Sequence, residues 1–231
     1  MQASRATARL AGALYLLVII GGTWSLKIVP DALIVSGDAA ATAHNIAAHA
    51  STWRLAIYVG AVCEFLFLCV GLTLYALLKE AGRDLARAMV ALVALQAVLG
   101  VFDLSFQAAP LVLLSGAGYW SAIPSPQLDA LAFGSLKLSG VNNQLATLFW
   151  GLWLLPLGVL VIRSGFFPRV IGWLLILNCV GWIATGVAGF LVPVHPHLVD
   201  SVLQAFLIGE PALVLWLLVM GAKAPPLEAA A

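Results

Sequence analysis

Three carboxyl side chains lie inside apolar segments of the chain and are the residues best suited to chemistry. Glu64, Asp103 and Glu210 each belong to such a segment, and about 20 consecutive apolar residues are needed to cross the hydrocarbon core of a bilayer. A charged side chain at that depth costs about 2.5–3.5 kcal/mol on insertion scales, so each acid needs a specific role. The carboxyl group either binds a ligand or a proton, or stays neutral in a hydrogen bond to a neighbouring helix.

Polar and small residues accompany these acids at helical spacing. In the third apolar segment, one stripe recurs at i, i+4, i+7, i+11 and i+14 and consists of Gln96, Gly100, Asp103, Gln107 and Pro110. Such stripes face the interior of a helix bundle, where amides bond across helices. We therefore predict that a ligand-binding cavity is lined by Glu64, Asp103, Gln107, Asn143, Asn178 and Glu210.

The expected depth of these residues indicates how the cavity would open. At 1.5 Å per residue, Glu64 lies about 15 Å from the outer end of its helix and Glu210 about 16 Å, near the midplane. Asp103 falls in the outer half, and Arg54 and Lys137 would surround the external mouth. These positions predict a polar cavity that opens to the outside and has a floor near Glu64, Asn178 and Glu210.

The histidines form a second candidate group, and none lies in an apolar segment. This position argues against a haem held by axial ligands inside the bundle. His195 and His197 are candidate zinc ligands, together with His44, His49 or Asp200. Solvated loop histidines are the simpler interpretation, because one His-x-His pair around a proline does not define a zinc site. We predict no cofactor and no resident metal.

Catalytic signatures of known type are missing from the sequence, which contains no HExxH, GxSxG or Walker-type motif. Two alternatives to ligand binding or translocation remain open. The first is an intramembrane enzyme that acts on a lipid-soluble substrate, with one acidic residue as general acid or base. The second is a non-catalytic interaction or regulatory protein, whose polar stripes only stabilise helix packing.

The composition, which is 63% hydrophobic and 9% charged, indicates that membrane-spanning helices position these residues. We predict an all-α, polytopic bundle with six membrane spans at about 9–27, 53–78, 86–113, 138–162, 170–191 and 199–221. One membrane domain would cover residues 1–222, and an Ala- and Pro-rich tail over 223–231 would be disordered. Pro110 and Pro156 are expected to kink or end their helices.

The basic residues predict the orientation. Of the eleven, eight lie on one side of the predicted spans and only Lys27, Arg54 and Lys137 on the other, so the first side is expected to be cytoplasmic, with both termini.

The net charge of +1 argues against nucleic-acid binding. In the external segment 28–52, Asp38 is expected to cap a short Ala-rich helix. Residues 114–137 should begin irregularly and end helically.

Several short motifs resemble one bacterial membrane family. They are RLAGALYL at 9–16, LYALL at 74–78, FWGL at 149–152, RSGFFPR at 163–169 and GEP at 209–211. Together they resemble the family known as domain of unknown function 4386. This resemblance implies a multi-pass protein of the bacterial inner membrane and places Glu210 in the family's Gly-Glu segment, without implying a reaction. The expected partners are the lipid bilayer and a small-molecule or lipid ligand, and the sequence is compatible with an oligomer.

Overall fold

The computed structural model describes residues 5–191 and 208–221 of the chain, and these residues contain helices but no strands. The all-α fold class predicted from the sequence is therefore confirmed. The helices are α1 (Arg5–Thr23), α2 (Val29–Leu33), α3 (Ala39–Ala48), α4 (Ala50–Leu78), α5 (Arg83–Leu113), α6 (Ser125–Leu152), α7 (Leu154–Ser164), α8 (Arg169–Leu191) and α9 (Gly209–Val219). A π-helical turn, Trp24–Ile28, joins α1 to α2.

Among the described residues, five helical stretches are long and apolar enough to cross a membrane. They are Arg5–Leu33, Ala50–Ala81, Arg83–Leu113, Ser125–Ser164 and Arg169–Leu191. Each contains one of the first five predicted spans. The described part of the sixth predicted span forms the shorter apolar helix α9, whereas its first residues, 199–207, lie outside the described residues, as does the tail 223–231.

The helix ends follow from local chemistry. Asp38 caps α3, because its carboxylate accepts a hydrogen bond of 2.8 Å from the backbone N–H of Ala41, as the sequence predicted. The chain breaks its helical pattern at Trp153, between α6 and α7. Pro156 follows closely and has no N–H for the carbonyl four residues earlier, so it favours this interruption. Pro110, by contrast, lies inside α5, which continues to Leu113.

The described helices form two compact units. The central unit comprises Val18–Phe65 and Val98–Asn143, and the terminal unit comprises the described parts of Met1–Leu17, Leu66–Ala97 and Gln144–Ala231.

The central unit has an apolar core built around Trp53. The indole is 1% exposed and packs with Val29, Leu33 and Ile46. Its N–H donates a hydrogen bond of 2.8 Å to the backbone carbonyl of Gln107. One side chain therefore fills the core and also links α4 to α5, which fixes the position of the Gln107 turn.

The terminal unit depends on close helix packing. Helices α7 and α8 contact one another extensively, and α8 also contacts α9. A Cβ atom at Gly158 would lie 2.7 Å from the carbonyl oxygen of Gly172, and one at Gly172 would lie 2.6 Å from the carbonyl oxygen of Gly158. Glycine at both positions lets the two backbones touch, which is how small residues tighten helix pairs in membranes.

Candidate functional site

Asp103 forms the polar centre of the central unit. Its side chain is 2% exposed. Its Oδ2 accepts hydrogen bonds from Gln107 Nε2 at 2.8 Å, Ser139 Oγ at 2.9 Å and Asn143 Nδ2 at 3.3 Å. Its Oδ1 accepts one from Asn142 Nδ2 at 3.1 Å. We call this group the Asp103 centre.

Helical spacing brings these donors together. Gln107 lies one turn after Asp103 on α5, and the other three donors occupy positions i, i+3 and i+4 on one face of α6. All four donors are neutral, and Asp103 has no ion pair among residues 5–191 and 208–221. The described part of the chain therefore stabilises this buried acid by hydrogen bonding alone.

Glu64 on α4 lies beside this centre but is held differently. Its carboxyl group packs against Gly100 so closely that a Cβ atom at position 100 would overlap it. Gly100 is one turn from Asp103 on α5, and the two carboxyl groups are close enough to interact electrostatically. No described residue donates a hydrogen bond to Glu64. Glu64 is thus a partly buried carboxyl whose acceptor oxygens are unused within the described chain.

A second polar group without a hydrogen-bond partner among the described residues lies against α4, beside Gly60, which is one turn before Glu64. Ser25, in the π-helical turn, is 1% exposed, and its hydroxyl has no hydrogen-bond partner among the described residues. A Cβ atom at Gly60 would lie 2.9 Å from that hydroxyl oxygen. Because Gly60 and Glu64 are four residues apart on one helix face, Ser25 and Glu64 belong to the same side of α4.

Glu210 forms the polar centre of the terminal unit. Tyr15 of α1 donates a hydrogen bond from its hydroxyl to Oε2. Asn178 Nδ2 and Trp182 Nε1, both on α8, donate to Oε1 at 2.8 and 3.1 Å. Asn178 Oδ1 also accepts a hydrogen bond of 3.3 Å from the backbone N–H of Gly209. This Glu210 centre connects α1, α8 and α9.

An aromatic cluster surrounds the tyrosine of the Glu210 centre. The ring of Tyr15 lies 6.0 Å, centroid to centroid, from both Phe67 and Trp153, and those two rings are 5.1 Å apart. Tyr15 and Trp153 are each 1% exposed. The phenol is therefore held in one orientation, toward the glutamate.

The structure places the six predicted cavity residues in two groups. Glu64 and Asp103 lie together with Gln107 and Asn143 in the central unit, and Asn178 pairs with Glu210 in the terminal unit. Their role in binding a ligand remains a prediction.

The other candidate positions are exposed or lie outside the described residues. Arg54 and Lys137, expected at the mouth, are exposed, and the Lys137 ammonium lies 4.9 Å from the centroid of the Phe133 ring. His195 and His197 lie outside the described residues. Within 5–191 and 208–221, no three His, Cys, Asp or Glu side chains are placed to hold a metal ion.

Sequence reasoning missed four hydrogen-bond donors of these centres: Ser139, Asn142, Tyr15 and Trp182. Ser139 and Asn142 could have been found from their spacing with Asn143, because the three share one face of α6. Tyr15 could have been found from the small residues one and two turns before it on α1, which are buried on the same face. Trp182 lies four residues after Asn178 on α8, so the two residues share one helix face.

The long apolar helices and their buried acids define the class, a helical membrane protein. The chain belongs to the family described as domain of unknown function (DUF4386), whose model matches residues 10–221. The resemblance read from the sequence motifs is therefore confirmed. Neither the curated proteins nor the solved structures contain a match to this chain.

Proposed function

We propose that this protein binds a small or amphipathic molecule at the Asp103 centre and can translocate it. The observation that carries the proposal is the contrast between two neighbouring carboxyl groups. Asp103 accepts hydrogen bonds from four side chains, whereas Glu64 accepts none from the described residues. In this proposal Glu64 contacts the ligand, and Asp103 positions the helices around it.

The physical reason is the cost of an unsatisfied carboxyl group inside a membrane. A polar group transferred to an apolar medium without a hydrogen bond costs about 2–7 kcal/mol, and an isolated ionised carboxylate transferred to the same medium costs more. A ligand that donates a hydrogen bond to Glu64 would remove this cost. The Ser25 hydroxyl, which is also unsatisfied among the described residues, offers a second polar contact on the same side of α4.

Glycine at position 100 supports the same role for Glu64. Any larger side chain there would collide with the carboxyl group, so the residue leaves Glu64 room beside α5. Alanine at this position would displace the Glu64 side chain without changing its chemistry. We expect Gly100→Ala to weaken ligand retention as Glu64→Gln does.

The test is native mass spectrometry of the protein purified in lipid nanodiscs, followed by extraction of any bound molecule. The parent protein should retain a small molecule or lipid at a fixed stoichiometry, and Glu64→Gln should retain less of it, because the amide carries no charge and keeps only one of the two acceptor oxygens. Glu80→Gln is the matched control, because Glu80 is an exposed glutamate in the turn after α4. Equal retention by the parent and both variants would refute the proposal.

We also propose a multi-pass topology in the bacterial inner membrane with both termini in the cytoplasm, on the basis of the basic residues. Cysteines introduced by Ser36→Cys and Arg83→Cys, both at exposed positions, would report this orientation. A membrane-impermeant maleimide should label the first in intact cells and the second only after lysis. The reverse pattern would overturn the orientation.

A second candidate function is a non-catalytic interaction or regulatory role, and the Glu210 centre favours it. Here the acid is bonded by three donors from two helices, and a third helix carries the acid itself. Such a saturated carboxyl stabilises helix packing without a ligand. If Glu210→Gln binds ligand like the parent while Glu64→Gln does not, the two centres have separate roles.

A further inference from the structure

A cavity of about 310 Å³ lies in the central unit, apart from the Asp103 centre. It is bounded by α3, by the end of α5 with the segment that follows, and by the first two turns of α6. Residues that line it include Ala43, His44, Ala47, Leu114, Leu128 and Asp129. Its volume is at the lower end of the range for small-molecule sites, about 300–1,000 Å³. The basic-residue pattern predicts that this end of the unit faces outside.

The cavity exists because α3 presents alanines to it. Ala40, Ala43 and Ala47 lie at i, i+3 and i+7 on one face and all line the space. The helix is fixed in place by Thr42, whose hydroxyl accepts a hydrogen bond of 3.0 Å from the N–H of Val35. The cavity therefore exists because α3 is capped, is held in place by Thr42 and carries short side chains on the face that lines it.

In the described lining of this mostly apolar cavity, two side chains are titratable, His44 from α3 and Asp129 from α6. Neither has a hydrogen bond or ion pair with any residue in 5–191 or 208–221. The nearest acid along α3, Asp38, is already used by the Ala41 N–H. Asp129 lies in the second turn of α6, and its oxygens accept no hydrogen bond from the described residues.

We propose that this cavity binds a small ammonium ligand with an apolar body. The ammonium group would donate to the Asp129 carboxylate, and the neutral His44 imidazole would accept a further hydrogen bond from it. The apolar body would lie against Ala43, Ala47 and Leu128. Asp129 supplies a carboxylate to the lining, and no lysine or arginine occurs among the described lining residues, so the site selects cations over anions. This inference does not depend on the role of Glu64.

The test uses three probes of one shape: phenethylammonium, neutral 2-phenylethanol and anionic 3-phenylpropionate. Binding is measured by calorimetry to the protein in phosphatidylcholine nanodiscs, with empty nanodiscs subtracted. Phenethylammonium should bind at least about tenfold more tightly than either analogue, since a charge-assisted hydrogen bond contributes that much. Asp129→Asn should remove this preference, while Asp31→Asn, at an exposed acid of the same unit, should retain it.

A second variant locates the binding site independently of charge. Ala47→Leu adds bulk at an exposed position that lines the cavity, so it should weaken all three probes without unfolding α3. Equal affinity for the charged and neutral probes, or unchanged phenethylammonium binding by Asp129→Asn or Ala47→Leu, would overturn the proposal.

The ammonium group could come from a soluble amine or from a phosphatidylethanolamine headgroup. Repeating the titration in nanodiscs that contain phosphatidylethanolamine separates the two sources. Weaker apparent binding of phenethylammonium there supports a lipid ligand that competes for Asp129, and unchanged binding supports a soluble amine. In either case the preference for the charged probe must persist, and its loss in phosphatidylcholine would reject the site.

Discussion

Replacing Asp103 by alanine removes the acceptor that four side-chain donors share. Three of these donors, Ser139, Asn142 and Asn143, reach it from α6. Interhelical hydrogen bonds in membrane proteins contribute about 0.6 kcal/mol on average and at most about 1.7. Three such bonds give a loss of about 2 to 5 kcal/mol for Asp103→Ala. Asp103→Asn keeps one acceptor oxygen and should lose only about 1 kcal/mol.

Equilibrium unfolding in mixed detergent micelles measures these free energies. Asp84→Ala serves as the control, because Asp84 is exposed and its ion pair with Arg87 is worth at most about 1 kcal/mol. A double-mutant cycle between Asp103→Ala and Asn142→Ala should give a coupling of at least about 0.5 kcal/mol. Equal stability losses for Asp103→Ala and Asp103→Asn, or no coupling, would refute the hydrogen-bonded centre.

Three further predictions concern other parts of the chain. Glu210→Ala should destabilise the terminal unit more than Glu210→Gln, since the glutamine still accepts hydrogen bonds and Tyr15 can reorient its hydroxyl; thermal unfolding of both variants checks this. Gly158→Val should separate α7 from α8, because a Cβ there meets the Gly172 carbonyl, and is expected to lower the unfolding temperature or abolish expression. Asp38→Ala should cost about 1 kcal/mol through loss of the α3 cap, whereas Asp38→Asn should cost far less; the same unfolding assay compares them.

The helices could be predicted from the sequence because each is encoded locally. Apolar segments of membrane length located the five long helical stretches, and Asp38 before an alanine run located α3. The first predicted span ends at about residue 27, and the helix that contains it is longer. The helix continues to Leu33 through a π-helical turn, and Pro30 is tolerated there because it occupies the first turn of α2.

The polar centres could be predicted only in part. Asp103 and Gln107 share one helix, so their pairing follows from periodicity. Which residues of α6 reach Asp103 depends on the register between two helices, which apolar patterning does not specify. Ser139 and Asn142 were therefore missed. The Glu210 centre needs three helices to converge, and the sequence predicted Glu210 itself and, of its three donors, Asn178.

Chemical modification of Glu64 tests the central claim most directly. A lipophilic carbodiimide, applied to protein from which bound molecules have been stripped, should convert the Glu64 carboxyl, which no residue in 5–191 or 208–221 hydrogen-bonds, to a stable N-acylurea while Asp103 stays unmodified. Peptide mass spectrometry reads both sites. The modified protein should then fail to rebind the molecules extracted from the parent, and those molecules should protect Glu64 when added first. An unreactive Glu64, or full rebinding after its modification, would contradict the account.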